Sequence, residues 1–185
     1  MIPTRYPEYL IAAMIIILAP GPSVLFVIAR AIAWGRTTAV LTVLGNVSGS
    51  FVLSSLVALG IGPILARYEI AYIAVQWGGG LYLIYLGIDA LRKRAEHSTQ
   101  MLEQGEVSAP SSLRTFRDGF VVGVLNPKGI VFCAAVTPQF IDRDRGSVVF
   151  QLILLGVIFS LLALVCDGGW GLLAGTARIW LATDV

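Results

Sequence analysis

The sequence predicts an all-α integral membrane protein with five transmembrane helices, an incomplete inverted repeat in which helices 1 and 4 are broken. Three observations predict it. The 185 residues are 57% apolar and carry only 13 Lys or Arg and 11 Asp or Glu. A soluble domain is about 45–50% apolar and about 25% charged, so these few charges cannot cover a globular surface. The apolar residues also fall in long uncharged runs, and two of the long apolar segments are interrupted near their middles by proline. Disorder is excluded by the high hydrophobicity. Strands are excluded because runs such as Met14-Ile15-Ile16-Ile17-Leu18 and Leu152-Ile153-Leu154-Leu155 do not alternate as membrane barrels do. The net charge of +2 is too small to point to nucleic acid.

A bilayer core of about 30 Å is crossed by roughly 20 apolar residues in a helix. Residues 9–29, 37–66, 70–88 and 146–166 contain no charge, and residues 119–141 contain only Lys128. The spans are therefore placed at 8–33, 38–63, 69–91, 116–140 and 147–176, in one transmembrane domain covering residues 1–185. The first segment is too long, and too interrupted, for a cleavable signal, and is expected in the mature protein. Residues 92–115, which open on Arg92-Lys93-Arg94, form the one long polar loop. With five spans, one side of the membrane holds Arg5, Arg67, Arg143 and Arg145. The other holds Arg36, Arg92, Lys93, Arg94, Arg114, Arg117 and Arg178. The richer side is cytoplasmic by the positive-inside rule, which puts loop 92–115 in the cytoplasm and the N-terminus outside.

The first break is Ala19-Pro20-Gly21-Pro22-Ser23 and the second is Leu125-Asn126-Pro127-Lys128-Gly129. Proline removes a helical hydrogen bond and clashes with the preceding turn, and in hydrocarbon the freed carbonyls need another partner. Such breaks in corresponding positions of two halves mark the binding site of many transporters. The correspondence extends further. Gly35 and Gly45 in one half, and Gly146 and Gly156 in the other, are each ten apart and sit 111 residues from their counterparts. Three spans separate the starts of the halves, so the halves are inverted.

Lys128 is preceded by nine uncharged residues and followed by thirteen. An ionisable group so placed costs about 2.5–3.5 kcal/mol to insert and faces the bundle interior or a watery cavity; the alternative is a snorkelling lysine at an interface. Asp167 is the second intramembrane charge. It pairs with Lys128, carries a proton, meets a substrate ammonium, or lies at the interface. Asn46 and Ser48, with Asn126, either hydrogen-bond a solute or join helices. The candidate site is thus Pro20, Gly21, Pro22, Asn46, Asn126, Pro127, Lys128 and Asp167. Gly45-x-x-x-Gly49 and Gly78-Gly79-Gly80 read as helix-packing surfaces. Trp34, Trp77, Tyr82, Tyr85 and Trp170 are interface anchors or pocket walls. Cys133 and Cys166 have no metal spacing and read as core residues, and the single His97 lies in the polar loop. No nucleophile, His and carboxylate constellation is present, so neither an enzyme, a metal nor a cofactor is expected.

Ala19-Pro20-Gly21-Pro22, Gly35-Arg36, Tyr82-Leu83-Ile84-Tyr85-Leu86-Gly87, Leu125-Asn126-Pro127-Lys128-Gly129 and Thr137-Pro138-Gln139-Phe140 together resemble the LysE/RhtB family of amino-acid exporters, from about residue 5 to the C-terminus. The resemblance implies a multi-pass protein of the bacterial inner membrane that exports amino acids or similar zwitterions, coupled to protons. It implies that Pro20, Pro22, Asn126, Pro127 and Lys128 fall on motif positions of the translocation site. Asp167 is similar to an acidic residue of the family's fifth span, with Trp170 where Tyr is expected. Its partners would be a small amino acid and the lipid bilayer; a homo-oligomer stays open. The family has six segments in two inverted sets of three, whereas five are counted here; the polar link to a sixth would begin at Ala182-Thr183-Asp184-Val185. A truncated form, a second subunit closing the bundle, or an inactive structural protein therefore remain alternatives. A membrane thiol redox carrier needs one Cys in each half, and both lie in the second.

Overall fold

A computed structural model describes residues 3–61, 110–142 and 144–183, together with positions 70, 73, 74, 77, 78, 81, 84, 85 and 88. Every regular element among these residues is helical. In chain order they are α1 (Tyr6–Leu18), α2 (Pro22–Trp34), α3 (Arg36–Leu56, extended by a π-turn Val57–Ile61), α4 (Ser112–Val124), α5 (Pro127–Val131) and α6 (Val148–Thr183). A π-turn, Phe132–Val136, and a 3₁₀ turn, Thr137–Phe140, continue α5.

Two of these helices, Arg36–Gly60 and Val148–Arg178, are long and apolar enough to cross a bilayer. Two bent pairs meet the same test as single broken spans. Tyr6–Leu18 and Pro22–Trp34 meet at 50°, and Ser112–Val124 and Pro127–Phe140 at 42°. Both bends fall at the expected prolines, and the spans expected at 8–33, 38–63, 116–140 and 147–176 match these elements to within a few residues at their starts. The fourth span begins earlier than expected because Ser111 caps α4, accepting from the Arg114 amide at 3.4 Å. The expected span 69–91 and the loop 92–115 lie mostly outside the described residues.

The two half-helices that follow the breaks start for the same reason. Pro22 and Pro127 each take the first helical position, where a missing N–H costs nothing and φ is already set. Gly35 ends α2 and opens α3 at φ 84°, a left-handed backbone that glycine reaches without strain. Gly146, before α6, adopts φ 106°.

Glycines fix how the long helices meet. A Cβ on Gly45 would overlap the carbonyl oxygen of Phe116, and one on Gly49 that of Phe120. From the other side, a Cβ on Gly119 would strike the Thr42 carbonyl, and one on Gly123 the Asn46 carbonyl. Both Gly-x-x-x-Gly faces therefore bring two backbones into direct contact, which side chains would forbid. The contacts advance together along both helices, so α3 and α4 run parallel. Helix α6 lies antiparallel to α3, with Gly156 against Ser54 and Gly175 against Arg36. Of the expected Gly78-Gly79-Gly80 packing surface, Gly79 and Gly80 lie outside the described residues. A Cβ on Gly78 would meet nothing within 4 Å among the described residues, and neighbouring Trp77 is outward-facing.

Tyr9, Ala13 and Ile17 of α1 pack with Phe132, Phe140, Leu155, Phe159 and Ala163. The Tyr9 ring meets Phe140 edge-on at 5.5 Å, and Phe132 stacks on Phe159 at 4.9 Å. The buried Tyr9 hydroxyl donates to the Leu155 carbonyl at 2.9 Å. Outside this core, Ile11, Ile15, Leu25, Ile32, Leu161, Val165 and Leu173 are exposed. So large an apolar exterior is stable against hydrocarbon and not against water.

At the turn before α6, Thr4 donates to the Asp142 carboxylate at 2.5 Å, the Asp144 amide donates at 3.2 Å, and Arg145 lies 3.3 Å away. The Thr4 hydrogen bond first, then the amide and the guanidinium, hold this carboxyl below the usual carboxylate range. The charged form is thus favoured by folding, so its contribution is present at neutral pH and lost as pH falls through the lowered pKa. The Asp142→Asn variant is expected to show a weaker acid dependence of thermal stability in detergent than the wild type. Gly49→Ala is expected to lower the melting temperature by several degrees, since overpacking costs about 1–3 kcal/mol and a backbone carbonyl cannot rotate away, whereas Gly78→Ala should leave it unchanged. Size-exclusion thermal challenge measures both.

Candidate functional site

The two breaks meet. At the first, Pro20 has no N–H to give to the Ile16 carbonyl one turn back, and the bend leaves Ala19 without a helical donor. The Lys128 ammonium from the second break supplies both, donating to Ile16 O and Ala19 O at 2.8 Å each. These carbonyls are also the negative end of α1, which adds to the attraction for a cation. The lysine stem lies across Gly21, where a Cβ would be 3.3 Å from Nζ and 3.4 Å from Cδ and Cε. Gly21 is therefore closely packed by the lysine stem, while its backbone is ordinary, with a φ of −107°.

Asn126 joins the same breaks a second way. Its Oδ1 accepts from the Lys128 amide at 3.2 Å, capping α5, and its Nδ2 donates to Ser23 Oγ at 3.0 Å. Both side chains are buried. Ser23 and Val24 occupy the first turn of α2, where backbone amides have no intrahelical carbonyl.

Asp167 and Asn46 lie at the same level. One turn beyond Asp167, Gly171 packs on Val27 of α2 and on Ala39 and Val43 of α3. Val27 is one turn past Ser23, and Asn46 is about one turn past Val43. Asp167 is 4% exposed, and its carboxylate accepts from Asn46 Nδ2 at 3.1 Å. Asn46 Oδ1 is buried and has no hydrogen-bond partner among the described residues. Lys128 and Asp167 form no direct ion pair among the contacts of the described residues. Both charges come from the second half and are held by the first, Lys128 by carbonyls of α1 and Asp167 by Asn46 of α3.

All eight expected site residues are thus described, and the breaks, Asn46 and Asp167 share one level of the bundle. Asp167 is buried within the protein. Ser48 does not join them: its hydroxyl turns back on its own helix, donating to Leu44 O at 2.7 Å. Of the expected wall residues, Trp77, Tyr85 and Trp170 are exposed. Cys133 and Cys166 are both free thiols.

The sequence reading left out a third intramembrane charge and its partner. Arg30 of α2 is buried and donates from Nη2 to Asp118 of α4 at 2.6 Å. The guanidinium lies 4.9 Å from the Phe26 ring and 5.1 Å from the Trp34 ring. Its charge falls inside the expected span 8–33, and Asp118 inside 116–140, which could have drawn attention to both. They were missed because each lies next to a charged turn and reads there as solvated.

The scan against protein families matches residues 14–185 to the LysE type translocator model. The homoserine/homoserine lactone efflux protein of Salmonella typhimurium is 31% identical over 173 residues, covering 94% of this chain and 82% of the relative. The threonine efflux protein of Escherichia coli K12 is 30% identical over 154 residues, covering 80% and 75%. The leucine efflux protein of Klebsiella pneumoniae is 30% identical over 163 residues, covering 88% and 72%. No solved structure matches the chain. Apolar helices broken around intramembrane charges, together with these relatives, define a multi-pass transport protein of the bacterial inner membrane and not an enzyme. The chain belongs to the LysE-type translocator family.

If Pro20 is what makes Lys128 necessary to Ile16, the two substitutions should couple. Lys128→Met leaves two carbonyls unpaired and is expected to cost about 1–3 kcal/mol. In a Pro20→Ala background, where residue 20 regains its N–H, the same substitution should cost at least about 0.5 kcal/mol less. Chemical denaturation of the four proteins in detergent measures the cycle; additive costs would contradict it.

Proposed function

We propose that the chain is a secondary exporter of small zwitterionic amino acids, driven by protons, and that Pro20, Gly21, Pro22, Asn46, Asn126, Pro127, Lys128 and Asp167 form its translocation site. The observation that carries this reading is the Lys128 ammonium lodged between two helix breaks, at the level of a buried Asp167–Asn46 pair. A zwitterion needs one cationic and one anionic partner at separate points. Here a cation and a carboxylate stand apart without neutralising each other directly. Lys128 and the first-turn amides of α2 suit the solute carboxylate. Asp167 and the open Oδ1 of Asn46 suit its ammonium. When no solute is bound, Asp167 is the group that takes the coupling proton.

The substrate class follows from the same charges and from the relatives. One buried carboxylate balances one ammonium, which suits neutral amino acids such as those named for the homoserine, threonine and leucine efflux relatives. Five spans and an inverted repeat are part of the proposal. Parallel α3 and α4 are what an odd number of crossings between them requires. The counterparts Gly35 and Gly146 both adopt positive φ before a long helix, Gly45 and Gly156 both meet a neighbouring helix, and Pro22 and Pro127 both open a half-helix. The end bearing Arg36 and Arg117 is then cytoplasmic, by the excess of Lys and Arg on that side.

The test is flux in proteoliposomes loaded with radiolabelled homoserine, threonine or leucine, with and without an imposed pH gradient. At least one is expected to move faster with the gradient. Lys128→Ala should reduce that flux at least tenfold, and Asp167→Asn should remove its response to the gradient. No gradient-dependent flux, or undiminished flux in Lys128→Ala, would replace the exporter reading with that of a structural membrane protein.

A further inference from the structure

Arg30 uses only one edge of its guanidinium. Nη2 holds Asp118, but Nη1 is buried and has no acceptor among the described residues. Buried donors are nearly always satisfied, so one left open on a permanent cation calls for a missing acceptor. A second open group lies on the helix that carries Asp118. Thr115 is 1% exposed, lies one turn from Asp118 on the same face of α4, and its hydroxyl also lacks a partner. The guanidinium is not free to turn away, since Phe26 and Trp34 flank it. The surroundings are also cationic: Arg117 and Arg114 approach the same Asp118 carboxylate at 3.3 and 3.9 Å.

Arg30 is seven residues beyond Ser23, and Asp118 is eight before Asn126. At about 1.5 Å per residue the pair stands roughly 10–12 Å from the Ser23–Asn126 contact, between α2 and the same broken α4–α5 span. The seam between α2 and this span is therefore closed by two polar rungs, one at the breaks and one toward the Arg36 end.

We infer that Arg30 Nη1 and the Thr115 hydroxyl form a second carboxylate-binding subsite, which receives the exported amino acid from the cytoplasmic end before it reaches Lys128. This rests on the exporter reading above. Arg30 offers the two parallel N–H groups that suit a carboxylate, and the solute shares the guanidinium with Asp118 while it is bound. A lipid phosphate would use the same chemistry, but it would be met by Arg117, whose side chain is 66% exposed, rather than by Arg30 at 7%.

The experiment uses the full chain in proteoliposomes, with whichever of homoserine, threonine and leucine the wild type transports fastest. Transport is initiated from the Arg36 side. Arg30→Lys keeps a cation for Asp118 but loses the second N–H, and is expected to raise KM about tenfold with kcat within about twofold. Thr115→Val keeps the volume and removes a hydroxyl without a partner among the described residues. It is expected to raise KM severalfold while thermal stability is unchanged or higher. A merely structural Thr115 would move stability and not KM. The methyl ester of the same amino acid, which lacks the carboxylate charge, should inhibit both variants and wild type equally. The KM changes should persist when phosphatidylglycerol is replaced by phosphatidylcholine; their disappearance would assign the site to lipid and overturn the inference. Unchanged KM in Thr115→Val, or in a folded Arg30→Lys, would also overturn it and leave the exporter reading standing. Absence of transport by the wild type would overturn both.

Discussion

The arrangement of the bundle depends on one contact, the Lys128 ammonium held by the carbonyls of Ile16 and Ala19. In a low-dielectric interior neither an unpaired carbonyl nor an unpaired ammonium is stable, and each break creates one of them. Pro20 orphans the Ile16 carbonyl, and the Asn-Pro-Lys break delivers the cation. Each irregularity thus removes the cost of the other. The lysine stem passes close over Gly21, 3.3–3.4 Å from where a Cβ would stand. It also explains why the contact is a suitable place for a solute. A backbone carbonyl binds an ammonium less strongly than a carboxylate does, so a solute carboxylate can compete for Lys128 where an Asp partner would have held it.

Two kinds of interface surround this contact, and they differ in what it takes to open them. Helices α3 and α4 are joined backbone to backbone through four glycines, with no side chains to rearrange. Packing of that kind moves as one body. Helix α2 is instead linked by side chains to the broken α4–α5 span, Ser23 to Asn126 at the break and Arg30 to Asp118 on α4. Hydrogen bonds between side chains can be exchanged for bonds to a solute or to water with little net change. The same physics that keeps α3 on α4 therefore leaves the α2–α4 seam as the place where a path opens. Of the buried side-chain atoms without a partner among the described residues, Arg30 Nη1 and Thr115 Oγ1 lie on helices of this seam, Asn46 Oδ1 belongs to the amide that bonds Asp167, and Ser160 Oγ lies on α6.

Much of this was legible in the sequence because the membrane leaves few solutions. The uncharged runs fall where the structure has its long apolar helices, and Pro20, Pro22 and Pro127 where it has its two bends. Lys128 and Asp167 stood out as charges within apolar runs. What the sequence could not give was direction around the helix. Ser48 and Asn46 are two residues apart, so they face different ways, and only Asn46 reaches Asp167. Gly78 has the same small size as Gly45, but among the described residues nothing lies within 4 Å of where its Cβ would stand. Arg30 and Asp118 were hidden by proximity to charged turns, because a linear count does not reveal that α2 and α4 bury them against each other.

The central claim is that the level of the two helix breaks is reached by water and occupied by the transported solute. Ser23→Cys reports on it directly, in a chain where Cys133 and Cys166 are replaced by Ala, because Ser23 is buried at that level and bonded to Asn126. The rate of labelling by a small, membrane-impermeant, cationic thiol reagent is measured with and without the transported amino acid. The account predicts labelling from the aqueous phase and a severalfold slowing by the amino acid, with no slowing by a sugar. A thiol that is never labelled, or is labelled at the same rate whether or not the amino acid is present, would contradict it.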